Sequence, residues 1–319
     1  MADTEAPNGD ESPDSHIALA RVVLGLPSLA EQQAFLRASD RLDAMTVDAL
    51  LDVAEDWMGE DPAQTRQLAH LCSALAEEMS DFGLAARGAY VCARTYFINA
   101  EFDAALSLID AARRNYLRAG LPREALRTDV GRMGVLNEVG RYVEALGYGR
   151  NIINALSEAG DPSKVSADAE VNQLIGMAQQ NSGMAYLAMG NFERALQAYA
   201  AAEDRYHALN LPERMGDLRN NRGVVLLGLG RVREALVAFE NAAALFDVHA
   251  ASLKRAGAHQ PRRCTPAAGA THAGVGGAGA GARAARPHAS PGREASVVVG
   301  LGRCAPCLEL VSRGVGGVS

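Results

Sequence analysis

Five cysteines and seven histidines are the side chains of this 319-residue chain best suited to nucleophilic or metal chemistry. Cys304-Ala-Pro-Cys307 has the spacing of a redox dithiol or of half a zinc site. A structural zinc takes four ligands, and the next candidates, Cys264 and His288, are distant within low-complexity sequence. No metal site is expected. "GVGGAGAG" (274–281) and "VGLG" (299–302) contain Gly-x-Gly, but neither follows a strand and opens a helix, as phosphate binding requires. No cofactor is expected. A thiol nucleophile would have to be Cys72 or Cys92, with His16, His70 or His207 as base. Both cysteines fall on apolar helical stripes, where an unpaired thiol behaves as a small hydrophobe. The chain therefore reads as having no catalytic residues and as not being an enzyme.

Bulk properties narrow the function classes further. An odd number of cysteines without framework spacing fits a reducing compartment, so a cytoplasmic location is expected. The acidic start "MADTEAPNGDESPDS" is the reverse of a basic signal-peptide n-region. The first apolar run, Ile17 to Leu26, is interrupted by Arg21 and is too short to span a bilayer, so no membrane partner is expected. Residues 251–319 hold nine Lys/Arg against two Glu; with a net charge of -7 overall, the first 250 residues carry -14. An acidic body excludes nucleic acid as its partner, because phosphate neutralisation needs clustered cations.

What remains is spacing, and the elements that create it. "NAEFDAAL" (99–106), "VGRYVEAL" (139–146), "MGNFERAL" (189–196) and "LGRVREAL" (229–236) recur at offsets of 40, 50 and 40 residues. Twelve residues before each alanine stand Ala93, Met133, Gly183 and Gly223; four after stand Ile109, Gly149, Tyr199 and Phe239. This pattern predicts a helix A, a tight turn and a helix B. Gly140, Gly190 and Gly230 end helix A, where a residue without Cβ enters the left-handed region cheaply. Ala105, Ala145, Ala195 and Ala235 mark the place where helix B crosses helix A. Prolines 122, 162 and 212 close helix B or open the next helix. With 48% apolar but only 5% aromatic residues, the composition suits closely packed helices.

The order small–aromatic–Gly–aromatic–Ala-Leu–aromatic–Ala resembles the tetratricopeptide repeat (TPR), with a period of 40 in place of the family's 34. The longer form is similar to kinesin-light-chain repeats and to the bacterial repeats that precede a caspase-like CHAT peptidase domain. The resemblance covers residues 85–246 and implies an all-α, right-handed superhelical solenoid of antiparallel helix pairs. The domains expected are a disordered acidic N-terminus (1–16), a helical cap or degenerate repeat (17–84), a four-repeat array (85–250) and a disordered tail (251–319). Repeat 2 departs from the pattern at Met133 and Gly149. Ten additional residues before Gly183 predict an elongated helix A from about Ser163 to Met189.

The resemblance also implies a function: a protein-interaction scaffold that binds a peptide or helix in a groove lined by the A helices. The groove positions most suited to that role are Arg87 and Arg94 in repeat 1, Gln180 and Asn181 in repeat 3, and Asn220 and Asn221 in repeat 4. Asn181 and Asn221 are equivalent, and an exposed Asn offers both a donor and an acceptor to a ligand's backbone. The lysine–asparagine clamp of chaperone-binding repeats is not matched, because Tyr90 and Arg94 occupy its positions. A regulatory portion of a CHAT-type peptidase is the alternative implied.

At the N-terminal side, Ser28 with Glu31, Thr46, and Asp61-Pro62 read as helix starts. Beyond Ala251 the chain lacks Asp, Asn, Ile, Phe, Tyr, Trp and Met and carries 13 Gly. Such a segment cannot offset its chain entropy by burial, and it reads either as a disordered basic tail or as an out-of-frame product. The fifth helix pair that should cover Leu236, Phe239, Ala243 and Phe246 is missing from it. Self-association through that uncapped repeat is expected.

Overall fold

A computed structural model describes residues 13–39, 42–157 and 168–255 of the chain, and these are all-helical, without a strand. The helices are α1 (Pro13–Leu24), α2 (Leu29–Ala38), α3 (Ala44–Trp57), α4 (Pro62–Glu78), α5 (Phe82–Ile98), α6 (Phe102–Arg118), α7 (Pro122–Glu138), α8 (Tyr142–Leu156), α9 (Ala169–Ala188), α10 (Phe192–Ala208), α11 (Pro212–Gly228) and α12 (Val232–Arg255). From α4 onward the beat is regular. Helices of 17 residues alternate with three-residue turns, as in α4 to α7 and again in α10 and α11. Turns this short force neighbouring helices to run antiparallel.

Each turn is closed in the same way. Its middle residue adopts a left-handed conformation: Gly120, Gly140, Gly190 and Gly230 at φ of 71 to 77°, Ser80 at 59°, Ala100 at 60° and Asn210 at 51°. The following amide then donates to a carbonyl five residues back, as in Glu101 to Tyr96, Arg141 to Leu136 and Arg231 to Leu226. This satisfies a carbonyl that the helix end would leave unpaired. Helix starts are capped by Ser28, Asp61, Asp81 and Asn191, and prolines occupy the first turns of α4, α7 and α11. For α3 the cap is Asp43, which accepts from the Thr46 amide at 2.7 Å; the expected cap, Thr46, lies one turn inside, where a carboxylate upstream outcompetes its hydroxyl.

Two compact units divide the chain, Met1–Ala185 and Tyr186–Ser319. In the first, one core joins Leu19, Leu36, Leu50, Leu68, Leu75 and Cys92, so α1 to α5 share an interior that passes residue 84 without a break. A second core joins Met133, Ile152, Leu174 and Ala178 of α7, α8 and α9. In the second unit α11 lies against α10 and α12. A methyl group on Gly228 would come 2.8 Å from the Phe192 ring, and one on Gly223 2.5 Å from Phe239. The crossing alanines 105, 145, 195 and 235 are all fully buried.

The departures in repeat 2 are explained by pairing. Met133 on α7 and Gly149 on α8 occupy the places that Gly223 and Phe239 hold on α11 and α12. A methyl group on Gly149 would lie 2.9 Å from Met133 Cε. One crossing has the large residue on helix A and the other has it on helix B, so the volume is conserved while its source is exchanged. Charge is exchanged likewise. Arg113 of α6 bonds Asp129 of α7 at 3.0 Å, whereas at the equivalent places Glu203 of α10 bonds Arg219 of α11 at 2.9 Å.

Three boundaries differ from the sequence expectation. Helix α1 begins at Pro13, inside the stretch assigned to disorder, because proline is pre-set for a first helical turn. The elongated helix begins at Ala169, where Asp168 accepts from the amides of Glu170 at 3.0 Å and Val171 at 3.4 Å; residues 163–167 of the expected helix lie outside the described residues. Helix α12 continues to Arg255, five residues into the segment assigned to the tail, whose remainder lies outside the described residues. On α12, Phe239 and Phe246 are half-buried, whereas their counterparts Tyr199 and Tyr206 on α10 are fully buried.

Ala100 holds a left-handed conformation that disfavours any Cβ by about 1–2 kcal/mol. Ala100→Gly is therefore expected to raise the melting temperature, and Gly190→Ala to lower it, each by about 1 kcal/mol in chemical denaturation. At the crossings, Ala195→Leu or Ala235→Leu is expected to cost about 1–3 kcal/mol through overpacking, while Ala201→Leu on a partly exposed position costs far less.

Candidate partner-binding face

Alternate helices α3, α5, α7 and α9 are the A-type helices of the first unit, and side chains tie each to the next. Arg87 of α5 reaches α3, bonding Asp48 and Asp52 at 2.5 Å each and Glu55 at 3.1 Å. Burial opposes its charge, but these carboxylates outweigh burial and hold the guanidinium protonated above its ordinary range. Tyr90 of α5 lays its hydroxyl on Gly131 of α7, where any side chain would collide with it. Burial pushes that hydroxyl's pKa up, so it stays protonated.

Between α7 and α9 the ties are of two kinds. At one end Arg123 pairs with Asp168 at 2.8 Å and Arg127 with Glu170 at 2.6 Å. Further along, Asn181 Nδ2 donates to the Val130 carbonyl at 3.2 Å, and Asn137 Nδ2 donates to the Asn181 carbonyl at 2.9 Å. These two amide rungs join neighbouring A helices backbone to side chain. Asn137 Oδ1 is buried and has no partner among the described residues.

The sequence-selected residues fare unequally. Asn181 is half-buried with its amide nitrogen engaged on α7, so it fixes helix spacing. Asn220 and Asn221 were expected to be exposed, but both are 8% exposed, because α11 is flanked by α10 and α12 and has little free face. Gln180 is half-buried and interacts with other groups. Arg87 is committed to three carboxylates. Arg94 alone remains open. Its side chain is 47% exposed, and its carboxylate partner Glu55, 3.8 Å away, lies closer to Arg87. One turn on, Phe97 and Ile98 are exposed apolar side chains.

Sequence reasoning places Tyr90, Gly131 and Asn137 on the groove face but does not pair Tyr90 with Gly131 or Asn137 with Asn181, because it ranks positions within each helix separately. The available signal was cross-repeat pairing: a bulky Tyr90 on one A helix and a bare Gly131 one residue past the equivalent place on the next.

Cys72 and Cys92 are fully buried and unpaired. Burial raises both thiols, Cys92 to about 12, and Cys92 Sγ donates to the Arg66 carbonyl. Neither has the depressed pKa that a nucleophile needs. Cys264, Cys304 and Cys307 lie outside the described residues. Among the described residues no group of three His, Cys, Asp or Glu could hold a metal, and no helix is long and apolar enough to cross a membrane. A recess between α1 and α2, lined by Ser15, Ala18, Leu19, Val22, Phe35 and Ser39, is mostly apolar and has no charged group to orient a ligand.

No protein-family model matches the chain, and no curated protein shows significant similarity to it.

In a variant with Cys264, Cys304 and Cys307 replaced by serine, native protein at pH 8 is expected to leave both remaining thiols unmodified by a thiol-exchange reagent. Denaturant should release two equivalents. Rapid native labelling of either would contradict the burial.

Proposed function

We propose that the chain is a tetratricopeptide-like interaction scaffold whose A-helix face binds a peptide segment of another protein. The observation that carries this reading is the seam itself: α3, α5, α7 and α9 are fastened side by side, leaving Arg94, Phe97 and Ile98 unburied beside one another. Such a face offers a half-exposed arginine, held only by Glu55 at 3.8 Å, and apolar surface on a rigid support, which preorganises contact at small entropic cost. Among the described residues, Cys72 and Cys92 are committed to the core and the ion pairs Arg113–Asp129 and Glu203–Arg219 to helix junctions. Two buried, unpaired thiols fit a reducing compartment such as the cytoplasm.

The test is selection of binders from a displayed random peptide library on the full chain. Selected peptides are expected to share a motif and to lose at least tenfold in affinity on Arg94→Glu or Phe97→Asp. Val143→Asp, at a 70%-exposed position on α8, should leave affinity unchanged. A library without enrichment, or equal losses from all three variants, would contradict the proposal.

A further inference from the structure

Helix α12 keeps the crossing alanine of its predecessors but not their cover. In the first unit α6 lies between α5 and α7, and in the second α10 lies against α11. Among the described residues α12 lies against α11 and no helix follows it. Tyr199 and Tyr206 of α10 are fully buried, whereas Phe239 and Phe246, at the equivalent places on α12, cover Gly223 and Gly216 and stay half-buried. Val232, Leu236, Phe239, Ala243 and Phe246 follow at steps of four, three, four and three, the spacing of a seam between paired helices. At the open end of this stripe Val232 is 42% exposed.

Charge, size and register together say what fits the stripe. Eight residues after the crossing alanine stand Arg113 on α6 and Glu203 on α10, paired with Asp129 and Arg219 of the following helices. Ile153 holds that place on α8 and joins an apolar core; on α12 it is Ala243. A two-fold interface brings the same patch from both copies, so a charge at its centre would face its own sign, whereas alanine admits a copy of itself. In an antiparallel pair of α12 helices centred between Phe239 and Ala243, Phe239 of each copy meets Ala243 of the other, and Leu236 meets Phe246. Each contact then joins a larger side chain to a smaller one, as close packing requires. Arg233, Glu240 and Asp247 flank the stripe and are exposed. Antiparallel pairing sets Arg233 of each copy beside Asp247 of the other, where parallel pairing would set like against like. Finally, Phe239 on Gly223 and Phe246 on Gly216 place position 250 level with Pro212, the first residue of α11, so the last turn of α12, to Arg255, runs past it. In the antiparallel pair position 250 comes level with Val232 of the second copy, and the overhang has a helix beside it. Residues 256–319 hold no aromatic residue, Ile or Met with which to fill such a seam from within the chain.

We propose that this face is occupied by a second copy of the chain: two α12 helices pair antiparallel across Val232, Leu236, Phe239, Ala243 and Phe246 to make a two-fold dimer. The inference is independent of the peptide-binding reading, because α12 carries none of the residues assigned to the A-helix face.

The experiment is sedimentation equilibrium of the full chain in reducing buffer, where a reversible monomer–dimer equilibrium is expected. Ala243→Arg and Ala243→Glu should each weaken the dimer at least hundredfold. An equal mixture of the two should pair again, within tenfold of the parent, because opposite charges then meet as they do at Arg113–Asp129 and Glu203–Arg219. Recovery in the mixture separates loss of contact from loss of fold. Glu240→Gln, which removes a like charge beside the two-fold axis, should tighten the dimer at least twofold. Val143→Asp on α8 should change it less than twofold. A parent chain that stays monomeric, a dimer that survives both Ala243 variants, or a mixture that fails to pair would each overturn the proposal. A dimer weakened by Glu240→Gln would overturn it in favour of the basic segment 256–319, for which Glu240 would be an attractive charge.

Discussion

Where two helices joined by a three-residue turn cross, there is room for one large side chain and one small one. Close-packed interiors tolerate neither a void nor an overlap of even a methyl group, so the two positions must be chosen together. Ala93 with Ile109, Met133 with Gly149, and Gly223 with Phe239 are three solutions to the same constraint. The crossing alanines 105, 145 and 235 complete each site from the second helix, and all are fully buried. The ion pairs at the junctions between hairpins obey a parallel rule. One cation and one anion are needed, and either helix supplies either sign, as in Arg113–Asp129 and Glu203–Arg219. Opposite polarity also distinguishes the junctions: Asp129 set against Glu203, or Arg113 against Arg219, would repel.

The crossings determine which residues are left for the outer layer of the A helices. With the interior satisfied by paired volumes, α3, α5, α7 and α9 can be tied edge to edge by Arg87, by Tyr90 on Gly131, and by the Asn137 and Asn181 rungs. Those ties consume Arg87 and Asn181, which a sequence reading would offer to a ligand. What stays exposed, namely Arg94, Phe97 and Ile98, is a smaller and more specific surface. Function is proposed from that remainder, and it depends on the stiffness that the ties supply.

Much of the fold was legible in one dimension. Left-handed residues at 120, 140, 190 and 230 are glycines, and their spacing alone sets the helix ends. Ser80, Ala100 and Asn210 do the same without glycine, because the capping hydrogen bonds of the turn hold them there. The candidate site was less legible for a physical reason. Whether Asn181 faces a partner or a neighbouring helix is decided by a carbonyl 51 residues away, which spacing along one helix does not reveal. Asn220 and Asn221 look equally free in sequence, yet α11 sits between two helices. Met133 and Gly149 read as defects singly and as a matched pair together.

That pairing can be measured by transplanting it. Gly223→Met and Phe239→Gly, made singly and together, install in α11 and α12 the arrangement that α7 and α8 already use. If each crossing is a shared volume, Gly223→Met alone costs about 1–3 kcal/mol by overpacking and Phe239→Gly alone about 3–5 kcal/mol by cavity formation. The double variant should then be more stable than the Phe239→Gly protein, with a favourable coupling of at least about 1 kcal/mol in denaturant unfolding. Additive losses, leaving the double variant less stable than either single one, would contradict the account.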